Sequence, residues 1–277
     1  MITNTDYNFP LGIPGGYFDG KTVSPYPDYL RDYHLHFMRY IYYMCIMNAQ
    51  GNYPNEMSIE EIHRGFEINK GKKCKPKIKK ILICEAPPPT VLNYFYNPAS
   101  PWTAAGRPGV GGTAFTGPIQ TALFGAGIFP TKLDFLMECA REGFLLLDLF
   151  PYALMKYTTR TGRRYRNACI SAWGAGPVPY PNNILNTLNN LICCIEKRIA
   201  IGFALKSFGE LIITDAVSVA NFNAWCLANG ITLNPPGPFD QFRVVPPPVP
   251  NASNYLRVCG RNGLFGPCPV LLNLAGF

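Results

Sequence analysis

The chain has 277 residues, of which 48% are hydrophobic and 15% charged, a composition that excludes a disordered protein and permits a large core. Its net charge of +8 is compatible with a polyanionic partner without requiring one. No basic and apolar signal region opens the chain, and no uncharged apolar run reaches the roughly 18 residues of a membrane span. We therefore expect a cytoplasmic protein with no membrane partner. The ten cysteines include no C-x-x-C pair, which predicts reduced thiols rather than a metal site or a disulfide framework.

The first predicted elements are two helices. Residues 1–27, rich in glycine, proline and tyrosine, are predicted to form an arm or a loop. Apolar residues that recur every three or four positions predict a helix over 28–48. Ser58 and Glu61 form a capping-box pattern, which predicts that a second helix begins there and ends near Ile68.

Four short apolar runs are predicted to be buried strands, because each is too short to form a helix. The predicted strands are 81–84, 144–150, 199–202 and 242–245, and the predicted helices between them are 118–124, 132–141, 183–198, 203–211 and 215–229. Strands that alternate with helices imply a mostly parallel sheet covered on both faces. We therefore expect one domain over 1–277, with an arm and helices over 1–70 and an α/β core over 78–260.

Two acidic residues stand at the ends of predicted strands. In parallel α/β sheets, ligands bind outside the carboxyl ends of the strands. Glu85 directly follows the first strand, and Asp148 lies in the second. A carboxylate is costly to bury there without a role or a partner, so Glu85 is expected to be a general base or an electrostatic stabiliser. The structural alternative is that Glu85 caps a nearby helix.

Four motifs along the chain resemble those of the uracil-DNA glycosylase superfamily. C-E-A-P-P at 84–88 is similar to G-E-A-P-G after the superfamily's first strand, and A-F-T-G at 114–117 is similar to its P-F-[VT]-[GS] turn. L-L-L-D at 145–148 is similar to L-L-L-N, and A-I-G-F-A at 200–204 is similar to a later strand that reads V-A-L-G. The resemblance covers roughly residues 78–260, in matching order.

The resemblance implies a fold, an activity and several residue roles. The fold would be a three-layer α/β/α sandwich with a central, mostly parallel, four-stranded sheet. The activity would be that of a monofunctional DNA glycosylase, which flips a nucleotide out of the helix and hydrolyses its N-glycosidic bond without a metal or an organic cofactor. Glu85 would activate water or stabilise the cationic sugar, Phe115 would stack on the base, and Asp148 would read the base edge. Ala86 and Pro87 would line the base pocket.

Two basic runs without acidic residues favour DNA as the partner. Seven lysines fall between Lys70 and Lys80, and five basic residues fall between Lys156 and Arg166. We place each run beside a strand end that carries chemistry, which favours phosphate contact, although a solvated face is the alternative for the lysine run. The expected DNA-binding residues are Lys72, Lys73, Arg160, Arg163, Arg164 and Arg166, with Asn251, Ser253 and Arg257 in the loop after the fourth strand. No obligate protein partner is predicted.

The chain departs from the superfamily in three places, of which the first two are a missing histidine and a longer segment. The superfamily usually has a histidine after the last strand, whereas the only histidines here are His34, His36 and His63, which are predicted to be surface or packing residues. Thirty residues separate Glu85 from Phe115, more than in compact members. This longer segment is predicted to be either a surface loop or an enlarged pocket wall, in which Phe95 or Tyr96 replaces Phe115 as the stacking ring.

A third departure concerns the base. Asp148 stands where the superfamily has an asparagine, and a carboxyl group suits the N4 amino group and N3 of cytosine better than it suits uracil. A desolvated carboxyl with a raised pKa can also protonate the leaving base. We therefore expect a modified cytosine, 5-substituted or glucosylated as in some phage DNA, and a role in anti-phage defence. The alternatives are repair of uracil or other deaminated bases, a catalytically inactive DNA-binding member, and an unrelated α/β enzyme whose loop at 109–113 holds a phosphate.

Overall fold

A computed structural model of the chain describes residues 27–47, 51–69, 77–88, 90–102, 116–125, 127–150, 162–176 and 183–234. The helices are α1 (Pro27–Tyr42), α2 (Ile59–Ile68), α3 (Thr116–Phe124), α4 (Lys132–Arg141), α5 (Arg163–Trp173), α6 (Ile184–Asn190), α7 (Lys206–Ile213) and α8 (Ala216–Asn229). The strands are β1 (Ile78–Cys84), β2 (Phe144–Asp148), β3 (Ile195–Phe203) and β4 (Thr232–Leu233). Among the described helices, none combines the length and the apolar character needed to cross a membrane.

The four strands form one parallel sheet in the order β2-β1-β3-β4, which confirms the predicted parallel α/β class. β1 pairs with β2 from Lys80 opposite Phe144 to Cys84 opposite Asp148. Most residues of β1 and β2 are buried, which explains why both strands are almost continuously apolar in the sequence. In this strand order the topological switch point lies between β1 and β3, where parallel sheets bind their ligands at the carboxyl ends.

The helices fall into two groups that cover the two faces of the sheet. α4 contacts α1 and β2, and α1 contacts α2, whereas α5 contacts α6 and α7, and α7 contacts α8. The connection from β1 to β2 contains α4, and the return from β2 to β3 contains α5 and α6. The two crossovers run in opposite directions across the sheet. Because crossovers between parallel strands are right-handed, α4 and α5 therefore lie on opposite faces, here called the α4 face and the α5 face. The arrangement is consistent with three α/β/α layers.

Tyrosine hydroxyls lie along one edge of β2, which is the outermost strand on its side of the sheet among the described residues. Tyr40 of α1 donates to the carbonyl oxygen of Phe144. Tyr96 donates to the carbonyl oxygen of Leu146 and accepts a 2.8 Å hydrogen bond from its amide nitrogen. An outer strand otherwise leaves a row of backbone groups unpaired, so these two side chains satisfy the edge from within the same chain.

The turn between α4 and β2 aligns the amino ends of the strands. Gly143 has a φ of +68°, and a Cβ atom at this position would lie 1.9 Å from the carbonyl oxygen of Lys77. The carbonyl oxygen of Gly143 accepts a 2.8 Å hydrogen bond from the amide of Lys79. Only glycine permits this close approach, so the turn fixes where β2 begins relative to β1.

The first part of the chain follows the sequence-based predictions closely. The 28–48 helix is present as α1 and a π-helical segment, Tyr43–Met47. Ser58 caps α2 and forms the predicted reciprocal hydrogen bonds with Glu61. The predicted helix over 132–141 has the same bounds as the observed α4. These agreements rest on local signals, namely capping side chains and regular apolar spacing.

Three predictions were wrong or incomplete. The expected helix over 183–198 ends at Asn190, and β3 begins at Ile195, because Ile195 pairs with Ile78 of β1 and this pairing overrides the helical propensity of the charged residues that follow. The helix α5 was not predicted. The fourth strand observed is Thr232–Leu233, while the predicted strand over 242–245 lies outside the described residues.

Candidate active site

Glu85 lies at the carboxyl end of β1, one residue after the last strand position, as the sequence predicted. Its exposed fraction is only 7%. The hydroxyl of Tyr165, which projects from α5 and is itself buried, donates to the Oε1 atom of Glu85. A buried carboxyl group is costly unless it is hydrogen-bonded, so this contact stabilises the buried position and fixes the carboxyl plane. Glu85 is therefore held from the α5 face.

The spacing of residues in α5 explains how the helix reaches Glu85. Tyr165, Cys169 and Trp173 recur every four residues and are all buried, so they form the stripe that packs against the sheet. Gly174 then adopts a left-handed conformation with a φ of 114°, which ends the helix. The helical phase thus directs Tyr165 inward at the carboxyl edge of the sheet.

Cys169 and Tyr165 are site residues that sequence reasoning missed. Burial raises the pKa of the Cys169 thiol; a hydrogen bond with Tyr165 opposes the shift, and the charge of Glu85 adds to it. Cys169 is therefore a neutral thiol beside Glu85 rather than a thiolate nucleophile. The four-residue spacing of these two residues was the available signal, but the arginines around Tyr165 concealed it.

Asp148 lies beside Glu85 on the neighbouring strand. It is paired in register with Cys84, and the pairing continues beyond the strands. The amide of Leu149 donates to Cys84 at 2.7 Å, and the amide of Phe150 donates to the carbonyl oxygen of Glu85 at 2.9 Å. Since neighbouring strands lie about 4.8 Å apart, the backbones of Glu85 and Asp148 are close together. The structure thus brings the two predicted catalytic residues to one edge of the sheet.

The carboxyl group of Asp148 has an unusual environment. Although the residue keeps some solvent contact, burial raises the pKa of the carboxyl to about 8. No hydrogen bond links it to another residue in the described part of the chain, so no contact there compensates for ionisation. The group is therefore mostly protonated at neutral pH, when it can donate one hydrogen bond and accept others.

The two carboxyl groups belong to opposite faces of the sheet. Side chains alternate along a strand, so Asp148 shares its face with Phe144, whose ring lies 5.9 Å from that of Phe95. Phe95 in turn contacts Phe135 of α4. Asp148 is thus on the α4 face, whereas Glu85 is held from the α5 face. A ligand that contacts both has to lie across the carboxyl ends of β1 and β2.

The rings of Phe95 and Tyr96 occupy the core rather than an open pocket. Tyr96 is fully buried and packs against Tyr40, with ring centroids 4.5 Å apart, and against Phe37 at 5.3 Å. Phe95 is 3% exposed and packs against aromatic rings of α4 and β2. This packing argues against either ring as the stacking partner of a base. Phe115, the first prediction for that role, lies outside the described residues.

The segment after Glu85 is anchored to the N-terminal helix. Pro87 is buried and Ala86 is partly buried. The carbonyl oxygen of Pro88 accepts a 2.5 Å hydrogen bond from the hydroxyl of Tyr33 in α1. Ala86 and Pro87, which were predicted to line a base pocket, therefore remain at the carboxyl edge next to Glu85.

The basic segment at the start of α5 lies at the same edge as Glu85. Tyr165 links this first helical turn to the Glu85 carboxyl group. Arg163 is exposed and forms no ion pair with the described part of the chain, while Arg166 lies 3.5 Å from Asp215, the N-cap residue of α8. Arg160 and the side chain of Arg164 lie outside the described residues.

The lysine run has a different position from the one predicted. Lys77 precedes β1, and Lys79 and Lys80 belong to its first half, so they lie towards the amino edge of the sheet. Lys79 and Glu85 are six steps of extended chain apart, a distance of about 20 Å. The prediction that this run lies beside the chemistry is wrong for these three lysines. The remaining predicted DNA-binding residues Lys72, Lys73, Asn251, Ser253 and Arg257 lie outside the described residues.

Two cations near the amino edge have side-chain partners. A cleft of about 340 Å³ opens there, and Lys80 on its wall forms a 3.0 Å ion pair with Glu142 at the end of α4. Arg198 donates a 2.7 Å hydrogen bond to Asn234. The cleft is lined by Lys79, Lys80, Glu196, Arg198, Ala200 and Asn234. Contacts of this kind are typical of a surface that holds secondary structure together.

His34 and His63 lie in the packing between the first two helices. His34 of α1 is buried, and its ring stacks on that of His63 of α2 with centroids 6.4 Å apart. Burial lowers the pKa of His34 and of His36 to about 4, so both are neutral at physiological pH. For His34, the structure confirms a packing position. The seven described cysteines are all free thiols, and five of them are buried.

No family model, curated protein or solved structure matches the chain. The similarity to the uracil-DNA glycosylase superfamily therefore rests on the four motifs, and the roles it implies remain predictions.

Proposed function

We propose that the protein is a monofunctional DNA glycosylase with a uracil-DNA glycosylase-like fold. The observation that carries the proposal is that Asp148, a carboxyl group protonated near neutral pH, and the buried Glu85 stand together at the carboxyl ends of adjacent strands. Groups with such contrasting environments are typical of acid and base partners in hydrolysis. Their position at the carboxyl edge of a parallel sheet is where this class of fold binds ligands.

The hydrolysis uses both carboxyl groups. The oxygen of a water molecule forms a bond to the sugar C1′ atom, while Glu85 accepts the proton of that water and stabilises the positive charge of the sugar. The C1′–N bond breaks, and the base leaves with its electron pair. Asp148 supplies a proton to the departing base, and the proton on Glu85 returns to Asp148 through solvent. The products are an abasic site and a free base.

Tyr165 is a positioning residue in this mechanism. Its hydroxyl donates to one carboxyl oxygen of Glu85 and so orients the group towards the edge of the sheet. Arg163 and Arg166 lie on the same helix as Tyr165, where they can bind backbone phosphates and fix the DNA without reading its sequence.

A cytosine-type base is the substrate that Asp148 suits best. A protonated carboxyl donates to N3 and accepts from the N4 amino group, and N3 protonation makes cytosine a better leaving group. Removal of ordinary cytosine would damage the host genome. We therefore propose a 5-substituted or glucosylated cytosine of phage DNA as the substrate and cytoplasmic anti-phage defence as the role.

The raised pKa of Asp148 also favours a second candidate function, repair of uracil. A protonated carboxyl donates to O4 and accepts from N3–H, so it complements uracil as well. The deciding experiment is mass identification of the base released from glucosylated phage DNA and from uracil-containing DNA. Release from the uracil substrate alone would reject the modified-cytosine function. Release from the phage DNA alone would reject uracil repair.

A DNA-binding protein without catalytic activity is the candidate of another class. The Glu85→Ala variant separates it from an enzyme, because an enzyme loses base release while keeping its affinity for DNA. A wild-type protein that binds DNA tightly but releases no base from any modified substrate would reject the glycosylase.

A further inference from the structure

The side chain of Gln120 is the most completely buried amide in the described part of the chain that lacks a hydrogen bond there. Gln120 lies in the middle of α3 and has an exposed fraction of 0%. Neither its Oε1 nor its Nε2 atom has a hydrogen-bond partner within the described residues. A buried amide with both ends unsatisfied destabilises the folded state, and such a group calls for an explanation in terms of a ligand or a functional role.

The helical phase places Gln120 on the same side of the sheet as Asp148. Gln120 is one turn before Phe124, so both side chains leave the same side of α3. The ring of Phe124 lies 5.2 Å from that of Phe129 and 6.1 Å from that of Phe135, in the first turn of α4. α4 ends just before β2 begins, so it runs antiparallel to β2 and starts at the carboxyl edge. Gln120 is therefore on the α4 face near this edge.

We propose that Gln120 is a further base-binding residue, whose amide N–H group donates a hydrogen bond to the O2 atom of the flipped base. The inference rests on the proposed glycosylase function and deepens it. As the C1′–N bond breaks, negative charge develops on the base and is shared by O2. A preorganised donor at O2 stabilises that charge more strongly than it stabilises the intact nucleotide.

Gln120 and Asp148 together complement three positions of a pyrimidine. Asp148 forms hydrogen bonds with N3 and with the group at C4. The amide of Gln120 donates a hydrogen bond to O2, which cytosine and uracil share. No histidine follows the last strand of this chain, so no imidazole is available there to stabilise the leaving base. The amide fills this need without a titratable group, because its donor is present at every pH.

The test compares Gln120→Met with a matched control, Asn97→Met, in the full chain. Asn97 is also a buried amide, but it donates to Val91 at 3.0 Å and accepts from Ala99 at 2.9 Å. We expect Gln120→Met to raise the melting temperature, because it removes an unsatisfied amide, and to lower the single-turnover rate of base release about 100-fold. Asn97→Met is expected to lower the melting temperature and to leave that rate unchanged below it.

A second readout is the dependence on the leaving group. A formyl group at C5 of cytosine withdraws electrons and stabilises the departing base without help from the protein. The rate loss caused by Gln120→Met should therefore be several-fold smaller on 5-formylcytosine than on 5-hydroxymethylcytosine. A residue that only packs in the core would not change this ratio.

The outcomes separate the inference from the function on which it rests. If the wild type releases the base and Gln120→Met releases it at the same rate, the role of Gln120 is overturned and the glycosylase proposal stands. If the wild-type protein releases no base from glucosylated phage DNA or from uracil-containing DNA, both the role of Gln120 and the glycosylase proposal are overturned. If Gln120→Met does not fold, Gln120→Leu replaces it, since leucine also lacks the donor, and full activity of that variant also overturns the inference.

Discussion

The two edges of the sheet carry basic segments that look alike in the sequence but have different surroundings. At the carboxyl edge, Arg163 is exposed beside the buried Glu85, and the Asp148 carboxyl has no hydrogen bond to the rest of the described chain. At the amino edge, Lys80 is paired with Glu142 and Arg198 is paired with Asn234. Within the described residues, the carboxyl edge thus carries a buried acid without a hydrogen bond, whereas two cations of the amino edge have partners.

This difference shows that strand direction, more than charge density, indicates where ligands bind. The lysine run is the denser of the two basic segments, yet its described part precedes the Glu85 position by most of a strand. A buried carboxyl group without a hydrogen bond costs stability, so the position of Asp148 at the carboxyl edge indicates a function there. The following experiments test whether the two edges differ as proposed.

The largest effect is expected for Glu85→Gln. Loss of the group that accepts a proton from water should lower the single-turnover rate of base release by about 10³-fold. DNA affinity should remain within about two-fold, because an amide of the same size retains the packing. Rates at saturating enzyme and binding isotherms provide the two measurements. A rate close to that of the wild type would remove the carboxyl edge from the chemistry.

Asp148→Asn should have the next largest effect, a loss of about 100-fold on a cytosine-type base. The protonated carboxyl is the active form, so the wild-type rate should be high below pH 8 and should fall as the pH rises through about 8. The asparagine variant should lack this dependence. A pH–rate profile of both proteins checks the prediction, and identical profiles would contradict it.

Asp148→Asn should raise the stability of the protein, although it lowers the activity. Because the folded pKa of Asp148 is raised from 3.8 to about 8, its contribution to stability is present below pH 4 and lost as the pH rises towards 8. At pH 7 the wild type must take up a proton on folding, which costs up to about 4 kcal/mol. Asparagine avoids this cost but buries an amide, so we expect a net gain of about 2 kcal/mol in urea unfolding. A less stable variant would contradict this account.

A smaller effect is expected for matched charge reversals at the two edges. Arg163→Glu should weaken DNA binding about ten-fold and reduce its salt dependence, because a phosphate contact is lost. Lys79→Glu reverses another exposed charge, about 20 Å from Glu85, and should change affinity by less than two-fold. Titrations at several salt concentrations measure both. Equal losses for the two variants would show that both edges bind DNA.

The smallest effect on activity is expected for Lys80→Met. The ion pair between Lys80 and Glu142 is mostly shielded from solvent, so removal of one partner should cost about 1–2 kcal/mol of stability. Base release should be unchanged at temperatures where the variant is folded. The double variant with Glu142→Gln should recover part of the lost stability, because no uncompensated charge then remains. A change in the rate of base release would link the amino edge to catalysis.

The sequence predicted those parts of the fold and site that depend on local or strand-level signals. The apolar runs located β1 and β2, and with them Glu85 and Asp148, because strands buried on both faces must be continuously apolar. β3 begins at Ile195, four residues before the apolar run that predicted it. The residues between are charged, and they belong to the strand because Ile195 pairs with β1, which no local pattern reveals. The contact of Tyr165 with Glu85 and the buried position of Gln120 depend on how helices are oriented over the sheet. No local pattern determines that orientation.

The tyrosine hydroxyls along β2 also determine how wide the sheet can become. Strand addition from a second molecule requires free amide and carbonyl groups along an outer strand. Tyr40 already occupies the carbonyl group of Phe144, and Tyr96 occupies both groups of Leu146. On this side, edge-to-edge polymerisation and strand exchange between copies are therefore blocked by two oxygen atoms rather than by a charged side chain. Phenylalanine at both positions would leave the core volume nearly intact and open the strand to self-association.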